Sequence, residues 1–270
     1  MEQILTEIQS AKRIVVKVGT STLTYSNGKL NLKRIDMLVR VLADLKNQGR
    51  EIILVTSGAI GVGVGKIGLK KRPSSIKGKQ AAAAVGQCEL MHLYDKLFSE
   101  YNHIVAQILL TKDVVEASNR KKNAINTLET LLKMGVIPIV NENDTVSTEE
   151  LTCTFGENDT LSAVVAKLAS ADLLVNLSDI DGLYSADPRT DADAIRIPIV
   201  QKITQEIRDL AGGAGSSQGT GGMCSKIVAA QIACEAGVNM VIASGENPQI
   251  LYDILEGKQV GTLFLKHRNL

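Results

Sequence analysis

Hydrophobic and polar positions along the chain follow two periods, one typical of strands and one typical of helices. Short apolar runs rich in β-branched residues predict strands at 14–18, 52–55, 103–110, 136–140, 173–177, 240–243 and 262–264. Amphipathic or alanine-rich stretches predict helices at 31–48, 76–98, 119–134, 158–169 and 248–255, and one that ends at Gly237. Residues 145–155 predict a hairpin, and the glycine-rich stretch 212–222 predicts a loop. Strands that alternate with helices predict a three-layer α/β/α sandwich with a mostly parallel central sheet.

Composition narrows the class of protein. The 270 residues are 44% hydrophobic and 3% aromatic, with a formal net charge of +1, which suits one substantial α/β domain. A near-neutral chain without tryptophan argues against a nucleic-acid binder, which needs a basic face and stacking rings. No apolar run reaches the roughly 18 residues of a membrane span, and the start lacks a signal-peptide pattern, so we expect a cytoplasmic protein. The cysteines form no C-x-x-C pair, which favours free thiols in a reducing compartment: Cys88, Cys153, Cys224 and Cys234.

Polar clusters follow the predicted strands or begin the predicted helices. In open α/β sheets the carboxyl ends of strands line the ligand crevice, and helix starts present unpaired N–H groups to anions. Lys17 lies in the first strand, two residues before Gly19. Either this is an edge strand whose lysine reaches solvent, or the lysine is aimed at phosphates. The glycines of 219–222 lead to Lys226 at a helix start, either as a mobile loop or as a phosphate-binding segment. The layout indicates an anionic ligand.

Two acid–amide clusters, at 141–144 and 156–159, permit two interpretations. Asn and Asp favour turns and helix caps, so both clusters could be purely structural. Either cluster would also suit holding an amino group or a cation. A carboxylate such as Asp159 could in addition hold two lysines in place.

Two common nucleotide-binding motifs are excluded. Residues 63–68 match G-x-G-x-x-G, but the dinucleotide fingerprint begins directly after a strand and needs an acid about 20 residues on. Here the first glycine comes eight residues after Val55, and the nearby Glu89 falls inside a predicted helix. The Walker A motif is absent as well, because it needs Ser or Thr directly after its lysine and here Ile67 follows Lys66.

Taken together and in this order, the motifs resemble those of the amino acid kinase family. The resemblance covers residues from about 13 to 264. Within the family, the occurrence of both Asn-Glu-Asn-Asp and Gly-Glu-Asn-Asp resembles the motifs of those members that phosphorylate glutamate. The matching segments are VKVGTS at 16–21, VTSGAI at 55–60, VNEND at 140–144, GENDTLSA at 156–163, DGLY at 181–184 with DPR at 187–189, and GTGGM at 219–223 with Lys226.

The resemblance implies ATP-dependent phosphorylation of the side-chain carboxylate of L-glutamate, the first step of proline synthesis, with Mg²⁺. It implies that Lys17 and Lys226 contact the phosphates, organised by Asp159. The residues implied for glutamate are Ser57, Asp144 and Asn158. Ser178 stands where many members carry threonine, which keeps the hydroxyl. The residues implied for the nucleotide are Lys17, Ser178, Asp179, Thr220, Gly221, Gly222, Met223, Cys224, Ser225 and Lys226.

The resemblance also carries expectations about organisation. It implies one kinase domain over 1–270, with the acceptor side at about 1–165 and the ATP side at about 166–270. Longer relatives append a PUA domain, and a chain ending at Leu270 is expected to lack it. Family members usually self-associate, so a homo-oligomer is expected.

The implied chemistry suits the residues. A glutamate side chain has a pKa near 4.3, so it is an ionised nucleophile at pH 7 and needs no general base. The three histidines lie outside every cluster. Mg²⁺ needs few protein ligands when phosphates supply the rest, so its ligands stay unassigned.

Three alternatives stay open. The first is a sibling kinase acting on N-acetylglutamate, aspartate, carbamate or UMP. The second is a non-catalytic sensor of ATP or an amino acid on the same fold. The third, an RNA-associated protein, is disfavoured by the charge balance.

Overall fold

The fold is that of a computed structural model, which describes residues 2–25, 29–111, 117–146, 158–211 and 222–267. Its strands are β1 (Arg13–Val18), β2 (Glu51–Val55), β3 (Val105–Leu110), β4 (Ile137–Glu142), β5 (Leu173–Ser178), β6 (Leu183–Tyr184), β7 (Arg196–Ile197), β8 (Ile199–Val200), β9 (Asn239–Ser244) and β10 (Thr262–Phe264). Its helices are α1 (Glu2–Gln9), α2 (Thr20–Leu23), α3 (Leu32–Asn47), α4 (Ala59–Ile67), α5 (Ile76–Ser99), α6 (Ser118–Lys133), α7 (Asn158–Leu168), α8 (Gln205–Ala211), α9 (Met223–Glu235) and α10 (Ile250–Leu255).

Eight of these strands form one sheet, in the order β3-β4-β2-β1-β5-β9-β10-β8. Strand β1 pairs in parallel with both β2 and β5, and β3, β4 and β9 continue the parallel arrangement. Strand β10 runs antiparallel to β9. The prediction of a mostly parallel central sheet is therefore confirmed. Strands β6 and β7 form a separate antiparallel pair.

The two faces of the sheet are buried against different helices, which confirms the three layers. Residues of β1 alternate between the faces, as the period of a strand requires. Ile14 and Val16 belong to a core that includes Leu38 of α3 and Tyr94 of α5. Val15 belongs to a second core, which contains apolar residues of α6, α7 and α9. Lys17 is two residues after Val15 in the strand, so its side chain points to the same face of the sheet, the face covered by α7 and α9.

Helix α3 shows how the sequence fixes its own boundaries. Asn31 caps the helix, with its side-chain oxygen accepting from the backbone N–H of Arg34 at 3.1 Å. Gly49 follows the helix with φ of 89°, a left-handed conformation in which a side chain would be strained. Both boundaries agree with the prediction from sequence.

Several elements are not predicted by the sequence patterns: α1, α2, α4, α8 and the short strands β6 to β8. Helix α4 escapes prediction because three glycines in its nine residues give a low helix propensity. Of the predicted hairpin at 145–155, the residues from 147 onward lie outside the described residues, as does 212–221 of the predicted loop. Over the part of the chain that is described, no helix is long and apolar enough to cross a membrane.

The G-x-G-x-x-G match at 63–68 has a packing explanation. Helices α4 and α5 meet backbone to backbone, with Gly63 and Gly86 at the contact. A Cβ on Gly63 would lie 1.8 Å from the carbonyl oxygen of Ala82, and one on Gly86 would lie 1.8 Å from that of Ala59. Gly68 ends α4 with φ of 80°. Gly63 and Gly86 therefore allow the two helices to pack closely, and Gly68 allows α4 to end.

Three of the four cysteines lie among the described residues, and all three are free thiols, as expected. Cys88 and Cys224 are exposed. Cys234 is buried, and burial raises the pKa of its thiol to about 12.

Candidate active site

A cavity of about 440 Å³ lies where β1, β2, β4 and β5 end. This is the position that the parallel topology predicts for a ligand crevice. Most of the site residues proposed from sequence meet there, although they come from distant parts of the chain. The described residues that line it are Lys17, Gly19, Thr20, Ser21, Ser57, Gly58, Ala59, Ile60, Gly61, Arg72, Lys79, Glu142, Asp144, Asn158, Asp159, Ser178, Asp179 and Lys226.

The centre of the cavity wall is a carboxylate held between two lysines. Asp159, only 2% exposed, forms ion pairs with Lys17 through Oδ1 and with Lys226 through Oδ2, the latter at 3.1 Å. Asn176 Nδ2 donates to Oδ1 at 2.9 Å, and the Ser225 hydroxyl donates to Oδ2 at 2.8 Å. Both carboxylate oxygens therefore have charged and neutral donors. We call Lys17, Lys226 and Asp159 the lysine clamp.

The electrostatics of the lysine clamp keep it charged. Burial by itself would raise the pKa of Asp159, but the ammonium groups of Lys17 and Lys226 outweigh burial and hold that pKa below its ordinary value. The carboxylate is therefore ionised at neutral pH. One negative and two positive charges leave the clamp with a net charge of +1, which suits an anion in the cavity.

The tertiary structure decides between the two interpretations of Lys17. Strand β1 lies in the middle of the sheet, and Lys17 is 7% exposed, so the edge-strand interpretation is wrong. Lys17 on β1 and Asn176 on β5 are directly paired, so their side chains point to the same face of the sheet. Helix α7 begins on that face, which brings Asp159 to both side chains.

Lys226 reaches the clamp from the first turn of α9 and is 4% exposed. Helices α7 and α9 are in contact along faces of small buried residues such as Ala163 and Ala230. This close approach places the N-terminal turns of the two helices side by side. The positive end of α9 adds to the charge of Lys226 at the cavity.

A second group of side chains, around Asn158, forms another part of the wall. The amide nitrogen of Asn158 lies 2.9 Å from the Thr56 carbonyl oxygen, 2.7 Å from Ser57 Oγ and 3.1 Å from Asn141 Oδ1, and these three acceptors share its two hydrogens. The amide oxygen of Asn158 is buried and has no hydrogen-bond partner within the described ranges. This oxygen therefore remains an acceptor for a donor group of a ligand.

Charged groups complete this second part of the wall. Burial raises the pKa of Asp144, and the positive charge of Arg72 opposes that shift. Arg72 therefore brings a cation to this end of the cavity, and Lys79 lines the cavity as well. An amino acid carries one ammonium and at least one carboxylate, and this end has complements for both.

Helix α4 contributes backbone donors to the same cavity. Gly58 precedes the helix with φ of 91°, in the left-handed region, and the residues Ala59 to Gly61 line the wall. The first N–H groups of a helix have no partner within it, and the helix dipole is positive at this end. The backbone N–H groups and the charged side chains of the cavity therefore both favour a negatively charged ligand.

The remaining residues assigned from sequence fall into three groups. Ser178 and Asp179 line the cavity at the end of β5, and the Ser178 hydroxyl donates to Asp179 Oδ1 at 2.9 Å. Ser225 reaches Asp159, whereas Gly222, Met223 and Cys224 are not among the residues that line the cavity. Thr220 and Gly221 lie outside the described residues.

Sequence reasoning missed several residues of this region. Arg72 and Lys79 carried no signal, because charged residues in a lysine-rich stretch are usually on a solvated face. Asn176 had a usable signal, since it is a polar residue within an otherwise apolar, buried strand. Gln87, which accepts a hydrogen bond from Asn141, had a weaker one as a polar residue after a run of alanines. The residues whose structure is described include no group of three His, Cys, Asp or Glu side chains placed to hold a metal ion.

Comparison with known proteins agrees with this architecture. The model of the amino acid kinase family matches residues 12–244, so the chain belongs to that family. The crystal structure of UMP kinase from Bacillus anthracis superposes with a TM-score of 0.61. It covers 96% of this chain and 98% of its own, at 14% identity, and so shows the shared fold.

Three relatives of higher identity carry the same name. The chain is 57% identical over 260 residues to the glutamate 5-kinase of Clostridium perfringens, covering 96% of this chain and 97% of that protein. It is 55% identical to the glutamate 5-kinase of Listeria innocua, over 95% of this chain and 94% of that one. The glutamate 5-kinase of Enterococcus faecalis is 53% identical, over 96% and 97%. The family expected from the motifs is thus confirmed.

Proposed function

We propose that this protein has glutamate 5-kinase activity. It transfers the γ-phosphoryl group of ATP to the side-chain carboxylate of L-glutamate and forms L-glutamyl 5-phosphate, the first step of proline biosynthesis. A carboxylate oxygen forms the new bond to phosphorus, and the bond to the β–γ bridging oxygen breaks as ADP leaves. The observation that carries the proposal is the lysine clamp at the cavity, in a chain more than half identical to glutamate 5-kinases.

The main obstacle to this reaction is electrostatic. The glutamate carboxylate is ionised at neutral pH and attacks without a general base. It must, however, approach a polyanionic triphosphate. Two unit charges 4 Å apart repel by roughly 4 kcal/mol at an effective dielectric constant of 20, and several such pairs form at once. Catalysis therefore depends on cations placed around the transferring group.

The lysine clamp supplies two of those cations. Lys17 and Lys226 contact the phosphates and stabilise the charge that spreads over the transferring group. Asp159 holds both amines in position before the substrates bind, so little reorganisation is needed during the reaction. Mg²⁺ bound to ATP would take most of its ligands from the phosphate oxygens and would neutralise part of their charge.

The two parts of the cavity wall hold the two substrates. Ser57, Asp144 and Asn158 bind glutamate, with the Asp144 carboxylate and the free Asn158 oxygen as acceptors for its ammonium group. Ser178, Asp179 and the segment 220–226 bind the nucleotide. On this division, residues 1–165 form the acceptor side of a single kinase domain and 166–270 the ATP side. We also propose that the protein is a homo-oligomer.

The test is ADP release from MgATP across a panel of acceptors: L-glutamate, N-acetylglutamate, aspartate, carbamate and UMP. Hydroxylamine traps acyl phosphates as hydroxamates, so a hydroxamate formed with L-glutamate identifies the product. We expect L-glutamate to give the highest kcat/KM of the panel. Preference for another acceptor, or ATP binding without turnover, would contradict the proposed function.

A further inference from the structure

We infer that Gln87 is a positioning residue for the acceptor amino acid, acting through Asn141 and Asn158. This inference rests on the proposed function. Gln87 belongs to α5, is 7% exposed and is not among the described residues that line the cavity. Any effect of Gln87 on the substrate must therefore pass through its neighbours.

A continuous series of amides joins Gln87 to the cavity wall. Gln87 Oε1 accepts from Asn141 Nδ2 at 2.8 Å, and Asn141 Oδ1 accepts from Asn158 Nδ2 at 3.1 Å. Asn141 is 1% exposed, so water does not compete for these bonds. The series connects a helix on one face of the sheet to a residue at the start of α7 on the other face.

Contacts with backbone groups determine which end of the Asn158 and Asn141 amides faces each neighbour, and the orientation of Gln87 follows from them. The Thr56 carbonyl can only accept, so Asn158 must turn its nitrogen towards it, at 2.9 Å. The Glu142 backbone N–H can only donate, so Asn141 must turn its oxygen towards it, also at 2.9 Å. The nitrogen of Asn141 is then left facing Gln87, which must present its oxygen. Gln87 is therefore the terminal acceptor that holds Asn141 in this orientation.

The same face of α5 holds a second support of Asn158. The Tyr94 hydroxyl lies 2.9 Å from Thr56 Oγ1, in a buried contact. Tyr94 is two helical turns from Gln87, so both side chains point to the same side of α5. Two of the three acceptors of the Asn158 nitrogen, Thr56 and Asn141, are thus held by one helix face.

The expected consequence is specific to one substrate. Without the Gln87 oxygen, the Asn141 amide keeps its bond from the Glu142 N–H but loses the acceptor of its nitrogen. The Asn141 oxygen that accepts from Asn158 is then held less firmly. The lysine clamp does not depend on this series, because its hydrogen bonds go to Asn176 and Ser225. We therefore expect the KM for L-glutamate to rise, with the KM for ATP and kcat nearly unchanged.

The experiment measures both KM values and kcat for the wild type, Gln87→Leu, Asn158→Ala and the double variant. For Gln87→Leu we expect the KM for glutamate to rise about three- to tenfold, the effect of one hydrogen bond. Asn158→Ala is expected to raise it further. Because Gln87 acts through Asn158, adding Gln87→Leu to Asn158→Ala should change little more. Multiplicative effects of the two substitutions would overturn the inference.

Two further variants separate positioning from stability. Gln87→Glu keeps an oxygen that accepts from Asn141, whereas Gln87→Met keeps the size of the side chain without an acceptor. We expect the KM of Gln87→Glu to lie closer to that of the wild type, and the reverse order would overturn the inference. Phe98→Leu is the matched control, since Phe98 is buried on the same helix, eleven residues or about three helical turns beyond Gln87. It should lower the melting temperature and leave the KM for glutamate unchanged.

The outcomes distinguish this inference from the proposed function. If the wild type does not phosphorylate glutamate, the proposed function fails. If the wild type does so and every Gln87 variant keeps its KM for glutamate, only the inference fails. A fall in kcat with both KM values unchanged would assign Gln87 to the reacting end of the cavity and also overturn it.

Discussion

Replacing Asp159 by asparagine removes one charge from the lysine clamp and changes little else in shape. The Lys226–Asp159 distance of 3.1 Å corresponds to about 5 kcal/mol of attraction at an effective dielectric constant of 20, and Lys17 is paired with the same carboxylate. Part of this is offset, because the lysines regain solvent when released. Breaking a buried ion pair typically costs about 3–5 kcal/mol, and that is the destabilisation we expect.

Activity should fall for the same reason. In Asp159→Asn the two ammonium groups repel each other and no longer hold one geometry at the phosphates. A loss of about 4 kcal/mol in transition-state stabilisation is a decrease in kcat on the order of a thousandfold. The assay is ADP release at saturating MgATP and L-glutamate, with the melting temperature measured on the same preparations. A kcat within tenfold of the wild type, at an unchanged melting temperature, would refute the role given to Asp159.

The acid side of the stability profile provides an independent check. The pKa of Asp159 is lower in the folded protein than in the unfolded chain. Its contribution is therefore fully present above the unfolded value of about 4 and is lost as the pH falls towards the folded one. The difference in unfolding free energy between the wild type and Asp159→Asn should be constant near neutrality and shrink below about pH 4. If this difference in unfolding free energy instead grew as the pH fell, folding would raise the pKa of Asp159, which would contradict the prediction.

Three further predictions concern other parts of the site. Lys226→Ala should lower kcat by about a hundredfold or more with a smaller effect on the KM for glutamate, since its charge acts mainly on the transferring group. Arg72→Gln removes a charge that lowers the pKa of Asp144, so that pKa should rise and the acid limb of kcat/KM for glutamate should move to higher pH. Gly86→Ala places a Cβ 1.8 Å from a backbone oxygen of α4 and should lower the unfolding free energy by about 1–3 kcal/mol or more.

Each of these has a matched control on an exposed position. Lys167→Ala removes a lysine from the surface of α7 and should leave kcat unchanged. Lys71→Gln neutralises the neighbour of Arg72 and should not move the pH profile. Ala84→Ser changes an exposed residue of α5 and should barely alter stability. Equal effects of a variant and its control would contradict the corresponding prediction.

Much of the site can be predicted from sequence because its residues follow strands. Parallel strands end at one edge of the sheet, so the order of strands and polar clusters is enough to place Lys17, Ser57, Asp144 and Ser178 near one another. Asp159 and Lys226 are expected at helix starts. Contact between these residues cannot be predicted in the same way, since neither hydrophobic periodicity nor spacing states which helix start lies beside which strand.

Gln87 illustrates the limit most clearly. Its position in an alanine-rich helix predicts burial, but nothing in its neighbourhood along the chain names Asn141 as its partner. The same holds for Gly86. That this position tolerates only glycine becomes visible when the backbone of α4 is seen to pack directly against it.

The sequence by itself determined the order of the longer strands and most of the longer helices, many of their boundaries and the residue types gathered at the strand ends, because periodicity and capping are local properties. The tertiary structure decided that β1 lies between β2 and β5, that two distant lysines meet one buried carboxylate and that α5 supports the amide of Asn158. Strand order and helix packing decide these contacts, since they depend on how surfaces far apart in the chain fit together.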